Sequence, residues 1–188
     1  DGGLSIFIDG SGYYAVGNDG DSKHGELVFE QGISIESHAA GGVCIGSGLG
    51  GKIRIILGQY SIKMTGYVGI GIGAHDGDTD VELFACNVSL DLSEQFGVAI
   101  GAMQGNCRVN MHHASTKISL SGSNMVGIGT MEGSSCEVSV CEASTAFNIS
   151  ADLCSAVAAM EGSTVFEISK ASMHIVSKGD NALVLGGY

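Results

Sequence analysis

The sequence predicts an all-β fold, a single parallel β-solenoid of about six to seven coils, with about 28 residues and three short strands in each coil. Three observations lead to this prediction. They are a repeat of nearly constant length, three strand-like segments within each repeat, and the absence of proline among 188 residues. The prediction treats residues 1–188 as one domain.

The repeat is marked by an aliphatic residue that is usually followed by glycine or alanine. This residue returns at spacings of 29, 27, 28, 28, 29 and 27 residues, which is regular enough to indicate stacked units of one kind. Each anchor is expected in the first strand of its coil. The anchors are Val16, Ile45, Ile72, Ile100, Ile128, Val157 and Val184.

Two further strand-like segments follow each anchor. Apolar and polar residues alternate in them, as in Ile53-x-Ile55 for a second strand and Ile62-x-Met64 for a third. Clusters of Gly, Asn, Asp and Ser separate the segments, which is typical of turns. Coils stacked at the ~4.8 Å spacing of paired strands would form a rod ~30 Å long, right-handed as parallel crossovers usually are. An antiparallel sandwich of short hairpins is the alternative, but it does not require a fixed period.

The composition agrees with a solenoid and argues against several classes of partner. A strand inside a solenoid donates its N–H groups to the next coil, and proline has no N–H to donate, so its absence is expected. The formal net charge is −12 with only eight Lys and Arg, which argues against nucleic acid as a partner. No apolar run approaches the roughly 18 residues of a membrane span, so membrane insertion is not expected.

The glycine-rich first strand also carries a family resemblance. Its motif, aliphatic-Gly-x-x-x-Gly, with Gly-Ile-Gly at 71–73 and 127–129, resembles right-handed β-helix proteins and the Gly-Ile-Gly solenoid repeats of large proteins from gut bacteria. The resemblance extends from Leu4 to Tyr188. It implies a β-helix fold and a place in an adhesive or carbohydrate-associated protein at a bacterial surface.

The cysteines give a separate indication of the compartment. There are six, and none forms a C-x-x-C pair, so we interpret most of them as free, partly buried thiols. Free thiols by themselves favour a reducing or anaerobic setting. Cys107 and Cys136 occupy equivalent positions of adjacent coils, within disulfide range. In-register parallel neighbours seldom offer the required dihedral angle, so a reduced ladder of small apolar side chains is preferred.

The first strands predict an unusual surface. If the aliphatic anchors face the core, the residues on either side of each anchor face outward, and nearly all of them are Gly or Ala. We interpret them as a flat docking face for a protein partner or a second copy of the chain; a tight corner that admits only small residues is the alternative. On the first interpretation, Leu at Gly101 and Gly129 would abolish association and leave the fold intact. The face consists of Cys44, Gly46, Gly71, Gly73, Ala99, Gly101, Gly127, Gly129, Ala156 and Ala158.

The second strands predict a ladder of alternating charges on their outward side. Opposite charges on neighbouring strands stabilise pairing, and like charges destabilise it. We therefore assign these residues a structural role in selecting the register and no catalytic role. The ladder consists of Glu26, Lys52, Asp80, Arg108 and Glu137.

No catalytic or metal-binding constellation is predicted. The β-helix enzymes that cleave polysaccharides need clustered carboxylates on a groove built by long inserted loops, whereas the repeat length here varies by only two residues. The segment 76–80 begins like a calcium loop, but the twelfth position, where a bidentate Glu is needed, is Asn87. A solvated turn is the preferred interpretation, and no cofactor is expected.

The predicted function is a non-catalytic structural or interaction module. A polysaccharide-binding or polysaccharide-cleaving β-helix domain is the alternative. Neither end of the sequence carries an amphipathic cap, although terminal coils normally need one. We therefore expect either flanking sequence beyond residues 1–188, or partners or a second copy of the chain that cover the open ends.

Overall fold

Each coil of the chain contributes one strand to each of three parallel sheets, and the coils stack to form a β-solenoid of about six turns. The structure is a computed structural model that describes residues 3–18, 25–133, 135–180 and 182–186. Strands supply the regular structure of these ranges, and they contain no helix that is long and apolar enough to cross a membrane. The predicted class, with about 28 residues and three strands per coil, is confirmed.

The strands are numbered in chain order and fall into sheets A, B and C. Sheet A contains β1 (Leu4–Ile8), β4 (Ile33–Ser37), β7 (Gln59–Met64), β10 (Asn87–Leu92), β13 (Ser115–Leu120), β16 (Ser144–Ile149) and β19 (Ser172–Ser177). Sheet B contains β2 (Tyr14–Asn18), β5 (Gly41–Ser47), β8 (Val68–Ala74), β11 (Phe96–Ala102), β14 (Met125–Thr130), β17 (Ser155–Ala159) and β20 (Leu183–Leu185). Sheet C contains β3 (Glu26–Phe29), β6 (Gly51–Ile56), β9 (Thr79–Phe84), β12 (Cys107–His112), β15 (Ser135–Cys141) and β18 (Ser163–Ser169).

The main core lies between the three sheets and is built from columns of equivalent residues. In sheet C, Ile53 pairs with Val81, Val81 with Val109 and Val109 with Val138, and all four are buried. Alternation within each strand puts every second residue into such a column. One aliphatic position per repeat therefore becomes a continuous apolar stripe along the rod.

The five successive corners from sheet C to sheet A between β6–β7 and β18–β19 each contain a residue other than glycine in the left-handed conformation. This conformation brings Cβ close to the following carbonyl and is uncommon for residues other than glycine. At each of the first four corners the N–H of the left-handed residue donates to a carbonyl of the next coil at 3.0–3.3 Å, which offsets the local strain. The residues are Leu57, Ala85, His113, Glu142 and Lys170, with φ between 49° and 63°.

Sheet B has its glycines where the next coil approaches most closely. Gly73 and Gly101 have φ of 148° and 139°, values that residues with a side chain rarely adopt. A Cβ on Gly73 would lie 1.7 Å from the carbonyl oxygen of Gly101, and a Cβ on Gly101 would lie 1.8 Å from that of Gly129. The stacking of successive coils therefore requires glycine at these two positions.

We predict that Gly101→Ala destabilises the fold by at least about 2 kcal/mol, because the methyl group collides with the next coil and φ is unfavourable. Urea unfolding followed by circular dichroism measures the loss. Gly25→Ala is the matched control, since a Cβ on Gly25 meets nothing within 4 Å. Equal stabilities of the two variants would contradict this account of the glycine column.

Candidate functional site

The outer face of sheet C carries the charge ladder. The structure pairs Glu26 with Lys52, Lys52 with Asp80, Asp80 with Arg108 and Arg108 with Glu137 along the stacking direction. The five residues thus form one column of alternating sign, and Arg108 lies between two acids. The column is brought together by register alone, since its members are 26–29 residues apart in the chain.

The ladder makes direct contacts between coils. Lys52 Nζ lies 3.6 Å from Glu26 Oε1, and Arg108 Nε donates to Glu137 Oε2 at 2.9 Å. That hydrogen bond, with the charges of Glu137 and Asp80, raises the pKa of Arg108. A neighbouring column adds Arg54, whose Nε donates to Glu82 Oε2 at 2.8 Å. The charged groups of this face are therefore directed at one another.

A second alternating column lies on the outer face of sheet A, where the sequence analysis did not identify one. Glu36 pairs with Lys63, and Lys63 pairs with Asp91. Lys63 Nζ donates to Glu36 Oε1 at 3.0 Å, and this contact lowers the pKa of Glu36. Aligning the third strands of the repeats would have revealed this column, because its members stand 27 and 28 residues apart.

The prediction that the Gly and Ala residues beside the anchors form an exposed docking face is wrong, because these residues are not on the surface. Half of these residues face the main core: a Cβ on Gly71 would lie 3.0 Å from Leu90 Cδ2, and one on Gly127 would lie 2.6 Å from the Phe147 ring. Most of the others face the next coil, where no side chain fits. The members with side chains, which are Cys44, Ala99, Ala156 and Ala158, are all fully buried, and the glycine members are Gly46, Gly71, Gly73, Gly101, Gly127 and Gly129.

The reason for this correction is a break in the ladder of sheet B. Val98 pairs with Val126 and Ile100 with Ile128, but Ala99 between them has no such partner in the ladder. The break lets two successive residues, Ala99 and Ile100, both join the main core. Strict alternation, which placed one of them outside, does not hold at this point.

A separate apolar cluster covers the other side of sheet B. A Cβ on Gly69 would contact Met64 of the main core, so Ile70, the next residue, faces the opposite side. Ile70 and its column neighbours are buried by methionines and by side chains at the strand starts. The cluster consists of Val43, Ile70, Val98, Met103, Val126 and Met131, with Tyr14, Val68, Phe96 and Met160 packed against it.

The corner between sheets B and C holds a ladder of polar groups. Asp78 Oδ1 accepts hydrogen bonds from the backbone N (2.9 Å) and Nδ2 (3.1 Å) of Asn106. Asn106 Oδ1 accepts in turn from the backbone N (2.9 Å) and Oγ (3.1 Å) of Ser135. A shallow trough of about 350 Å³ lies beside this ladder. One of its lining residues is Cys107, whose Sγ lies 3.0 Å from Cys136 Sγ.

Glu94 is a buried acid that the sequence analysis did not single out. The equivalent positions in other coils are small residues, among them Gly66 and Gly122, and Glu94 is only 3 % exposed. Its carboxyl group occupies the space left by two glycines, since a Cβ on Gly69 would lie 2.4 Å from both carboxyl oxygens and one on Gly97 would lie 2.9 Å from Oε2. Oε2 has no hydrogen-bond partner, and burial raises the pKa of Glu94 to about 8.

Tyr13 and Cys44 are the titratable groups that interact with Glu94. Tyr13 Oη lies 3.4 Å from Cys44 Sγ, and desolvation is the main cause of the raised pKa of each. The pKa of Cys44 is about 12. Both groups are therefore neutral at pH 8, and Glu94 is the acid of this cluster that changes charge near neutral pH.

The outer face of sheet A forms a long polar trough. Ser34, Ser61 and Ser89 stack in one column, and Gln59 and Asn87 stack in the next. They line a hollow of about 430 Å³ that shares Ser34 and Gln59 with a second hollow of about 710 Å³ near β1. Hydroxyl and amide groups both donate and accept hydrogen bonds, so this surface is able to bind a polyhydroxylated ligand.

Two exposed histidines, His112 and His113, form a ring cluster with Phe84. The rings of His112 and His113 lie 4.5 Å apart, and Phe84 lies about 6 Å from each. His113 Nδ1 is 3.4 Å from Glu142 Oε2. Within the described ranges, no three His, Cys, Asp or Glu side chains are grouped so that they could hold a metal ion.

Comparison with known proteins adds no relative to this picture. No protein-family model, no curated protein and no solved structure matches the chain.

We predict that Arg108→Glu lowers the midpoint of urea unfolding, because it stacks three acids in adjacent coils. The shift should shrink at high salt, since ions screen exposed charges. Lys117→Glu is the matched control: its neighbours in the column are Ser89 and Ala146, so the same change of charge creates no like-charge pair within that column. Equal shifts for the two variants would show that the ladder adds nothing beyond net charge.

We predict that the raised pKa of Glu94 makes the protein less stable as the pH rises from 4.5 to 8. The folded protein binds the Glu94 proton more tightly than the unfolded chain does, so this group stabilises the fold most below pH 4.5. The free energy of unfolding should then fall by about 1 kcal/mol per pH unit as the pH rises towards 8. Urea titrations at successive pH values of the protein and of Glu94→Gln measure this contribution.

Glu94→Gln should remove that slope and be the more stable protein at pH 8, because the amide cannot ionise. Glu161→Gln, which removes the same charge from an exposed position, should leave the slope in place. A wild-type slope that survives in Glu94→Gln would assign the pH dependence to other groups.

Proposed function

We propose that this chain is a non-catalytic structural and interaction module, a rigid rod whose end coils bind a second copy of the chain. The observation that carries the proposal is the use of its charged side chains. Lys52, Arg54, Lys63, Arg108 and Lys170 each contact an acid of an adjacent coil. Charges used in this way stiffen the rod.

The shape of the coils supports the same function. The corners are short: β9 ends at Phe84 and β10 begins at Asn87, while β10 ends at Leu92 and β11 begins at Phe96. Catalytic β-helices carry their acids and bases on longer inserted loops. A uniform rod suits a spacer or a scaffold better.

The end coils supply the surface for association. At one end Leu4 of β1 is about half exposed, and at the other end Ile168 of β18 and Leu185 of β20 are similarly exposed, although each pairs with a buried core residue of the adjacent coil. Leu185 extends the core column of Ile128 and Val157. A further coil stacked on this end would therefore bury the Leu185 side chain. Because all three sheets are parallel, a second copy could continue each of them head to tail.

We expect the chain to associate with increasing concentration, and more strongly at high salt, because salt screens the repulsion between copies of net charge −12. Sedimentation velocity measures the association, and small-angle scattering tests whether the particle lengthens at constant cross-section. Leu185→Lys should shift the equilibrium to monomer with an unchanged circular dichroism spectrum. Leu57→Lys is the control, since Leu57 is about equally exposed but lies at the side of the rod, at the corner between β6 and β7, with a coil stacked on either side.

A monomer at all concentrations and salt conditions would contradict this proposal. So would association that both lysine variants weaken equally, because end-to-end contact should be sensitive only to the end coil.

The second candidate function is binding of a polysaccharide in the trough of sheet A. The column of Ser34, Ser61 and Ser89, with Gln59 and Asn87 beside it, favours this candidate because it offers hydrogen-bonding groups at every coil. The resemblance of the repeat to Gly-Ile-Gly solenoids of gut bacteria also belongs to this proposal and would place the rod at a bacterial surface.

Affinity electrophoresis in gels that contain pectin, xylan or β-glucan tests polysaccharide binding. One of these polymers should retard the protein, and the double variant Gln59→Ala/Asn87→Ala should lose the retardation. Asn110→Ala, an amide removed from the outer face of sheet C, is the control. Equal mobility of all proteins in every gel would remove this candidate.

A further inference from the structure

Cys107 and Cys136 are neighbours in one column at the start of the sheet C strands. The column runs from Thr79 through Cys107 and Cys136 to Thr164. The thiol of Cys107 donates to Cys136 Sγ, with the two sulfurs 3.0 Å apart. Both cysteines are free and buried. In-register neighbours about 4.8 Å apart at Cα also lie within the range that a disulfide spans.

Other cysteines have different partners for their sulfur atoms. Cys44 Sγ lies 3.4 Å from Tyr13 Oη, and Cys154 Sγ donates to the carbonyl oxygen of Asp152 at 3.2 Å. The Cys107 and Cys136 thiols, in contrast, face each other across one coil spacing. Their contact places the two sulfurs close enough to bond once rotation of the two side chains supplies the dihedral angle that a disulfide requires.

The trough at the B–C corner gives a reactant access to one of the two sulfurs. Cys107 is 4 % exposed and lines the trough, whereas Cys136 is fully buried. Asp78, Asp80 and Glu137 also line it, against the single positive charge of Arg108. This rim disfavours anionic oxidants, and the 4 % exposure of Cys107 favours a small neutral one.

We propose that Cys107 and Cys136 form a reversible disulfide that locks two adjacent coils when a small hydroperoxide reaches the trough. Cys107, as its thiolate, attacks one peroxide oxygen. The O–O bond breaks, a sulfenic acid forms on Cys107, and the other oxygen takes up a proton and leaves as water from hydrogen peroxide or as an alcohol from an organic hydroperoxide. Cys136 then attacks Cys107 Sγ. The S–S bond forms, the S–O bond breaks, and the hydroxide leaves as water with the proton of the Cys136 thiol.

The electrons balance in this sequence. Two thiols lose two electrons and two protons, and one hydroperoxide gains them and yields two molecules of water when it is hydrogen peroxide. Two thiol molecules of a reductant such as glutathione reverse the bond by exchange. The hydrogen bond with Cys136, together with burial, raises the pKa of Cys107. The thiolate is therefore scarce at neutral pH, so oxidation should be slow there and should accelerate as the pH rises.

Peptide mapping after exposure to hydrogen peroxide tests the proposal. Alkylation of the remaining thiols, followed by digestion with trypsin and a glutamyl endopeptidase, should yield residues 95–108 joined to residues 133–137. Each of these peptides contains a single cysteine, so the linkage identifies the pair. Dithiothreitol should separate them, and the oxidised protein should unfold at a higher urea concentration than the reduced protein.

Cys107→Thr and Cys136→Thr are the matched variants, because threonine already occupies this column at Thr79 and Thr164. Each should fold, lose the joined peptide and lose the rise in the unfolding midpoint. Cys141→Ser should retain both, since Cys141 is at the other end of its strand. The proposal is overturned if Cys107 and Cys136 both remain thiols after peroxide has oxidised the half-exposed Cys141. It is also overturned if either joins a different cysteine.

Discussion

The in-register stacking of coils is the constraint on which the rest of this structure depends. Every residue in a strand has its equivalents in the coils above and below at about 4.8 Å, joined by backbone hydrogen bonds. Whether a side chain fits at a given position therefore depends on the residues at the equivalent positions of the adjacent coils. The glycines at 73, 101 and 129 show how little space the stacking leaves, since a Cβ at any of them would overlap a carbonyl oxygen of the next coil.

The same stacking explains how an acidic chain with few bases is held together. In sheet C, Arg108 lies between Asp80 and Glu137. In sheet A, Lys63 lies between Glu36 and Asp91. In each column a positive charge therefore separates two acids that are two coils apart. At the B–C corner the neutral amide of Asn106 links the carboxyl group of Asp78 to the hydroxyl group of Ser135 across three coils. Hydrogen bonds between equivalent positions thus reinforce the backbone ladder at several places on the rod.

Departures from the pattern of the columns mark the places where chemistry is possible. Glu94 places a carboxyl group among small residues, and burial, which disfavours the charged form, raises its pKa to about 8. Cys107 and Cys136 interrupt a column that otherwise contains Thr79 and Thr164. Each departure is local and leaves the stacking intact, so a new property is added to the scaffold without changing its shape.

The sequence by itself determined the class of fold, the coil length, the three strands and the charge column of sheet C. It could do so because these features depend on spacing and on strict alternation, which are visible in one dimension. Only the tertiary structure decided which way the small residues of sheet B face. The break at Ala99 turns two successive residues inward, and no composition signal marks it. The burial of Glu94 was likewise decided in three dimensions, because it depends on the space left by Gly69 and Gly97. The sequence placed Cys107 and Cys136 in adjacent coils, but the direction of their thiols towards each other is visible only in the structure.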